Sequence, residues 1–75
     1  GRVIVLDFKT DRPSPTDVAK APDAYVLQLA LYREVLRRIF PGKAVLCALL
    51  WTETPHLMEL PDERLTAVFE AFRTS

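Results

Sequence analysis

Residues Val3-Ile4-Val5-Leu6-Asp7-Phe8-Lys9-Thr10 form an apolar run that ends in a charged step. A strand alternates its side chains between two faces, so Val3, Val5, Asp7 and Lys9 share one face while Ile4, Leu6 and Phe8 share the other. A first strand is expected over residues 2–10, apolar on both sides until a carboxylate and an ammonium emerge together at its C-terminal end. The segment Arg12-Pro13-Ser14-Pro15-Thr16-Asp17 then reads as a polar loop, because its two prolines cannot continue a ladder. A helix should begin near Pro22, with Asp23 favourable to the helix dipole, and run to about Phe40, where Pro41-Gly42 ends it.

At about 100° per residue, Tyr25, Leu29, Tyr32, Leu36 and Ile39 fall on one face of that helix. Gln28 falls beside Tyr32 and Val35, where a polar side chain is costly unless it finds hydrogen-bond partners. Val26, Leu27, Ala30 and Leu31 make the first half apolar nearly all round, so a further layer of protein is expected to cover it. Arg33, Glu34, Arg37 and Arg38 give the second half the look of a solvated surface.

Residues 43–52 are apolar on both faces and read as a central strand. Two apolar faces imply a sheet covered on both sides, and strand–helix–strand order implies a parallel pair with a right-handed crossover. Glu53-Thr54-Pro55 turns the chain into a short strand over about 56–60, paired as a hairpin. Asp62 is expected to cap a last helix whose Leu65, Val68, Phe69 and Phe72 make one stripe. The fold class is therefore α/β, in the order β-α-β-β-α, with helices packed on a mixed sheet.

Seventy-five residues allow one domain at most. The apolar fraction of 49% is too high for disorder. Ten basic and ten acidic residues leave no net charge, which gives no support to a generic polyanion-binding surface, so any nucleic-acid contact is expected to be local or supplied by the rest of a parent protein. The single cysteine, Cys47, cannot form an internal disulfide and fits a reducing cytoplasm. No apolar stretch approaches the roughly 20 residues that cross a bilayer.

The candidate chemistry lies at the end of the first strand. A carboxylate such as Asp7 can hold a divalent cation, and a lysine beside it can stabilise a phosphate or an activated water. The same pair can equally be an ion pair at a strand end. Likewise, Gln28 and Tyr32 can be a satisfied amide and a core aromatic. His56 has no second ligand at metal spacing. Arg33, Arg37 and Arg38 read as a solvated helix face with a weak potential contact to DNA.

Asp7-Phe8-Lys9 followed by Gln28-Leu29-Ala30-Leu31-Tyr32 resembles the motif pair of the RecB-like nuclease domains, part of the wider restriction-endonuclease-like fold with its PD-(D/E)xK motif. The wording Asp7-Phe8-Lys9-Thr10-Asp11-Arg12-Pro13-Ser14-Pro15 is most similar to AddA-type subunits of bacterial AddAB helicase-nucleases. The stretch from Pro41 to Thr52 is similar to the family's next strand. The resemblance implies a magnesium-dependent deoxyribonuclease that acts in double-strand break repair and homologous recombination in the bacterial cytoplasm. It implies Asp7, Lys9, Gln28 and Tyr32 as catalytic residues, Asp7 as metal ligand, and Thr10 and Arg12 as DNA contacts. It also implies DNA and a second, AddB-like subunit as partners, with ATP consumed by a helicase part that these residues do not contain.

The family places a further metal-binding aspartate on a strand before the Asp-x-Lys strand, and no such residue precedes Asp7 here. Residues 1–75 are thus expected to be part of a nuclease domain, nearly inactive alone. They are also expected to be prone to self-association through an open first-strand edge and the apolar helix back at Val26, Leu27 and Leu31. The alternative reading is a non-catalytic nuclease-fold module for docking or for guiding DNA.

Overall fold

The computed structural model describes residues 1–75. The elements follow the expected order: β1 (Arg2–Lys9), α1 (Asp23–Ile39), β2 (Ala44–Trp51), β3 (His56–Leu60) and α2 (Asp62–Thr74), with a short 3-10 turn at Val18–Lys20. The sheet order is β1-β2-β3. β1 and β2 run parallel, with Asp7 beside Leu49 and Lys9 beside Trp51, and β3 returns antiparallel to β2. A parallel neighbour requires a crossover, which α1 supplies, whereas the antiparallel pair needs only the Thr52–Pro55 turn.

The helices begin and end for local reasons. Pro22 immediately precedes α1 and Pro61 immediately precedes α2, each with an extended backbone and no side-chain cap. Asp62 is therefore the first helical residue of α2 rather than its cap, and its charge complements the dipole from inside the first turn. Gly42 takes a positive φ of 85°, which Pro41 ahead of it cannot do, so the two together reverse the chain out of α1. No helix is long and apolar enough to cross a membrane.

Burial corrects the expectation that both faces of the sheet are covered. Val45, Cys47, Leu49 and Trp51 of β2 and Met58 and Leu60 of β3 are buried together with Val26, Leu29 and Ala30 of α1 and Leu65 of α2. The opposite face carries Ile4, Leu6, Phe8 and Leu57, at 61, 44, 62 and 63% exposure, so it is apolar and open. Both helices pack on one side only. β1 is an edge strand, as expected from its unpaired flank.

The face that α1 buries is also rotated from the expected stripe. Val26, Leu29, Ala30 and Arg33 are buried, whereas Tyr32 and Ile39 are exposed and Tyr25 and Leu36 are half-buried. α2 is the reason. It lies against α1, and small Ala30 allows close approach while Leu65 fills the junction. The helix back at Val26 is thus covered from within the chain, and only Leu31 remains exposed there.

Arg33 is not part of a solvated face. It is 1% exposed, donating Nη1 to Asp62 Oδ1 at 3.1 Å and Nη2 to Thr66 Oγ1 at 3.0 Å. Its Nε has no hydrogen-bond partner, with Glu34 Oε2 only within ion-pair range at 4.0 Å. A buried guanidinium stays charged, so these carboxylates are what make its burial tolerable. Arg37 and Arg38 are exposed, and Arg37 pairs with Glu34 at 3.4 Å.

A candidate nuclease site at the end of β1

The strand alternation places Asp7 and Lys9 on the covered face of the sheet, beside the core residues Leu49 and Trp51 of β2. Lys9 Nζ lies 2.9 Å from Asp7 Oδ2, and the side chains are 18 and 27% exposed. The approach is off the direction of a hydrogen bond, so Oδ2 is shielded from solvent yet lacks a directed donor.

α1 brings the second motif to the same point. Lys9 Nζ donates to Gln28 Oε1 at 3.4 Å, and Gln28 Nε2 donates to Tyr32 Oη, also at 3.4 Å. The helical spacing of four puts Gln28 and Tyr32 on adjacent turns of one face. Gln28 is exposed and Tyr32 is 48% exposed, so they rim the site instead of forming core. The amide that periodicity placed at an awkward position finds its partners here. Asp7, Lys9, Gln28 and Tyr32 form one continuous run of polar contacts.

Three residues not singled out by the sequence complete the surroundings. Tyr25 presents its ring to Lys9, with Nζ 4.1 Å from the centroid, and its hydroxyl is shared between Asp11 Oδ1 at 2.9 Å and Oδ2 at 3.1 Å. By accepting that bond, the Asp11 carboxylate holds the phenol's pKa above its ordinary value. Thr52 fixes the end of the strand by donating its backbone N–H at 3.0 Å and Oγ1 at 3.2 Å to the Lys9 carbonyl. Helical periodicity placed Tyr25 on the face of Tyr32, three residues before Gln28, but gave it no role in the site. Nothing in the sequence ties Asp11 to it.

The remaining candidates sit apart from this cluster. Thr10 and Arg12 are exposed in the loop after β1, and neither side chain makes a hydrogen bond or ion pair. They flank the site without joining it. His56 is held at both ring nitrogens, with Nδ1 2.7 Å from Thr54 O and Nε2 3.0 Å from Pro15 O, and its ring stacks beside Trp51. It pins the proline-rich loop to the β2–β3 turn, which accounts for it without a metal. Cys47 is buried, donates weakly to Leu29 O at 3.7 Å, and has its pKa raised by burial.

No group of three or more His, Cys, Asp or Glu side chains is placed to hold a metal ion. Asp7 alone fits as one ligand, through a part-exposed carboxylate. Magnesium leans on one or two carboxylates and takes its remaining ligands from water and substrate oxygens, so one carboxylate is a partial set. The two concavities of about 290 and 220 Å³ are lined by residues of β1, β2, β3 and the start of α2, and neither includes Asp7 or Lys9. The candidate site accordingly lies outside both concavities, on a ledge at the end of β1.

Comparison with protein-family models, with curated proteins and with solved structures returns no match for this chain. The functional reading rests on the residues and their arrangement.

Proposed function

We propose that these residues are part of a magnesium-dependent DNA nuclease domain of the RecB-like kind, belonging to an AddA-type helicase-nuclease of the bacterial cytoplasm. One observation carries the reading. Asp7 and Lys9, 2.9 Å apart at the end of a strand, are joined through Gln28 to Tyr32 on the following helix. The two sequence motifs that define the resemblance lie nineteen residues apart at the Lys9–Gln28 link and meet in space.

Asp7 would supply one ligand to magnesium, with a carboxylate from polypeptide outside residues 1–75 and substrate oxygens completing the set. When bound, the ion supplies positive charge to the scissile phosphate and lowers the pKa of a bound water. Lys9 carries a charge that lies beside Asp7 and can meet the negative charge that develops on the phosphate oxygens. Gln28 orients the ammonium by accepting one of its protons, and Tyr32 fixes the amide. Thr10 and Arg12 extend toward phosphates on the substrate's path. The rest of the protein would contribute the ATP-driven motor and bind the AddB-like subunit.

A second reading, a nuclease-fold module that docks or guides DNA without cleaving it, is consistent with the lack of any group of three or more potential metal ligands. The test is Asp7→Ala in the full-length protein. Loss of magnesium-dependent DNA degradation with ATP-driven unwinding intact is the expected result. Cleavage at the normal rate would remove the nuclease assignment and leave the guiding module.

A further inference from the structure

Two carboxylates flank Lys9, yet its ammonium pairs with only one. Asp7 Oδ2 is 2.9 Å away, whereas Asp11, two residues further on, makes no ion pair with any residue. Tyr25 stands at Lys9. Its ring lies under the ammonium at 4.1 Å, and its hydroxyl occupies both oxygens of Asp11. The ring is itself braced against buried Trp51, with centroids 6.1 Å apart and planes at 46°. Below its first turn, α1 is tied down by Arg64, which donates to Val18 O at 2.8 Å, Ala21 O at 2.9 Å and Asp23 Oδ1 at 2.7 Å. The backbone that carries Tyr25 is therefore anchored at the start of the helix.

We propose that Tyr25 is a positioning residue that commits Lys9 to Asp7, by seating the ammonium on its ring and by occupying Asp11 with its hydroxyl. The proposal rests on the nuclease reading only for the use made of Lys9; the seating itself is a property of this chain. An ammonium has three N–H donors and attracts any carboxylate within reach. With Asp11 engaged by a neutral hydroxyl, the competing carboxylate is satisfied and held back. The ring face adds an electrostatic seat that a small apolar side chain lacks. Lys9 then has Asp7, Gln28 and the ring on three sides, and what remains open faces the substrate ledge.

Removal of the hydroxyl and removal of the ring have different consequences. Tyr25→Phe keeps the seat but releases Asp11 to draw Lys9 away from Asp7. Adding Asp11→Asn to that variant removes the competing charge without restoring the lost hydrogen bond. Tyr25→Leu removes the seat itself.

The readout is the NMR chemical shift of the Lys9 Cε protons in this 75-residue chain, which the ring current of Tyr25 displaces upfield. The wild type should show the displacement, Tyr25→Leu should lose it, Tyr25→Phe should reduce it, and Tyr25→Phe with Asp11→Asn should regain it. Regain in the double variant separates charge competition from a merely structural role, since the hydrogen bond is still absent there. An undisplaced Lys9 signal in the wild type, or a double variant no better than Tyr25→Phe, overturns the proposal. Should Tyr25→Leu fail to fold, the Phe and Phe/Asn pair decides the question alone. Nuclease activity is scored separately through Asp7→Ala, so loss of the nuclease reading and loss of the seating show up in different experiments.

Discussion

The two faces of the three-stranded sheet are nearly equal in apolar content and opposite in fate. Val45, Cys47, Leu49 and Trp51 lie under the helices, and Ile4, Leu6, Phe8 and Leu57 lie open. Along β1 the covered face passes from Val3 and Val5 to Asp7 and Lys9, where the helix layer supplies Gln28, Tyr25 and Tyr32 to meet the charge, whereas the open face carries its charges at Arg2 and Glu59 with no helix over them. Between Ile4 and Phe8 the open face of β1 stays apolar. Apolar composition therefore does not decide where chemistry is built. The face that receives a second layer can hold polar side chains at its margin in fixed positions, because neighbouring elements provide their partners.

The largest test of this contrast is a pair of substitutions on opposite faces. Trp51→Ala should cost about 3–5 kcal/mol, because the fully buried indole braces both Tyr25 and His56. A chain of this size holds about 4–11 kcal/mol in total, so that variant should be largely destabilised. Leu57→Thr on the open face should stay within about 0.5 kcal/mol. Urea denaturation of the two variants measures the difference, and similar losses would show that the open face is covered in solution.

Arg33→Ala should follow, at about 2–4 kcal/mol, since it deletes a buried side chain and two hydrogen bonds between α1 and α2. Arg37→Ala, exposed one turn away, should cost less than about 0.5 kcal/mol. Thermal melting of both variants checks the ranking.

The smallest effect concerns Cys47 on the covered face. Burial raises its pKa above the ordinary 9.0, and the Arg33 charge only partly opposes this. The folded state thus favours the neutral thiol. Its contribution is fully present below the ordinary value and is lost as pH rises through the folded one. As pH rises from below the ordinary thiol range to above it, the wild type should lose stability relative to Cys47→Ala. Denaturation midpoints of the two proteins across that range give the comparison, with the other titrating groups common to both.

Much of the fold was legible from periodicity. The apolar runs located β1, β2 and β3 to within a residue or two, and Pro22 and Pro41-Gly42 marked the limits of α1, whereas Asp62, expected as the cap of α2, lies inside its first turn. Period-two alternation also put Asp7 and Lys9 side by side, and the helical spacing put Gln28 and Tyr32 together. What was not legible depended on the relative placement of elements. Arg33 looks solvated in sequence because its partners, Asp62 and Thr66, lie 29 and 33 residues away on α2. The buried stripe of α1 turned toward Val26 and Ala30 because α2 competes with the sheet for that helix. Coverage of one face only could not be read from strands that are apolar on both. Tyr25 was visible as an aromatic on the helix, but its seat under Lys9 needs the loop at Asp11 and the strand end at Thr52.

The proposed function confines magnesium and DNA binding to the covered face at the end of β1. Chemical-shift mapping of this ¹⁵N-labelled chain with millimolar magnesium and a short DNA duplex tests it most directly. The account predicts changes clustered on Asp7, Lys9, Thr10, Gln28 and Tyr32, and their loss in Asp7→Asn. Changes centred on Ile4, Leu6, Phe8 and Leu57, or changes at the β1 end that survive Asp7→Asn unaltered, would contradict it.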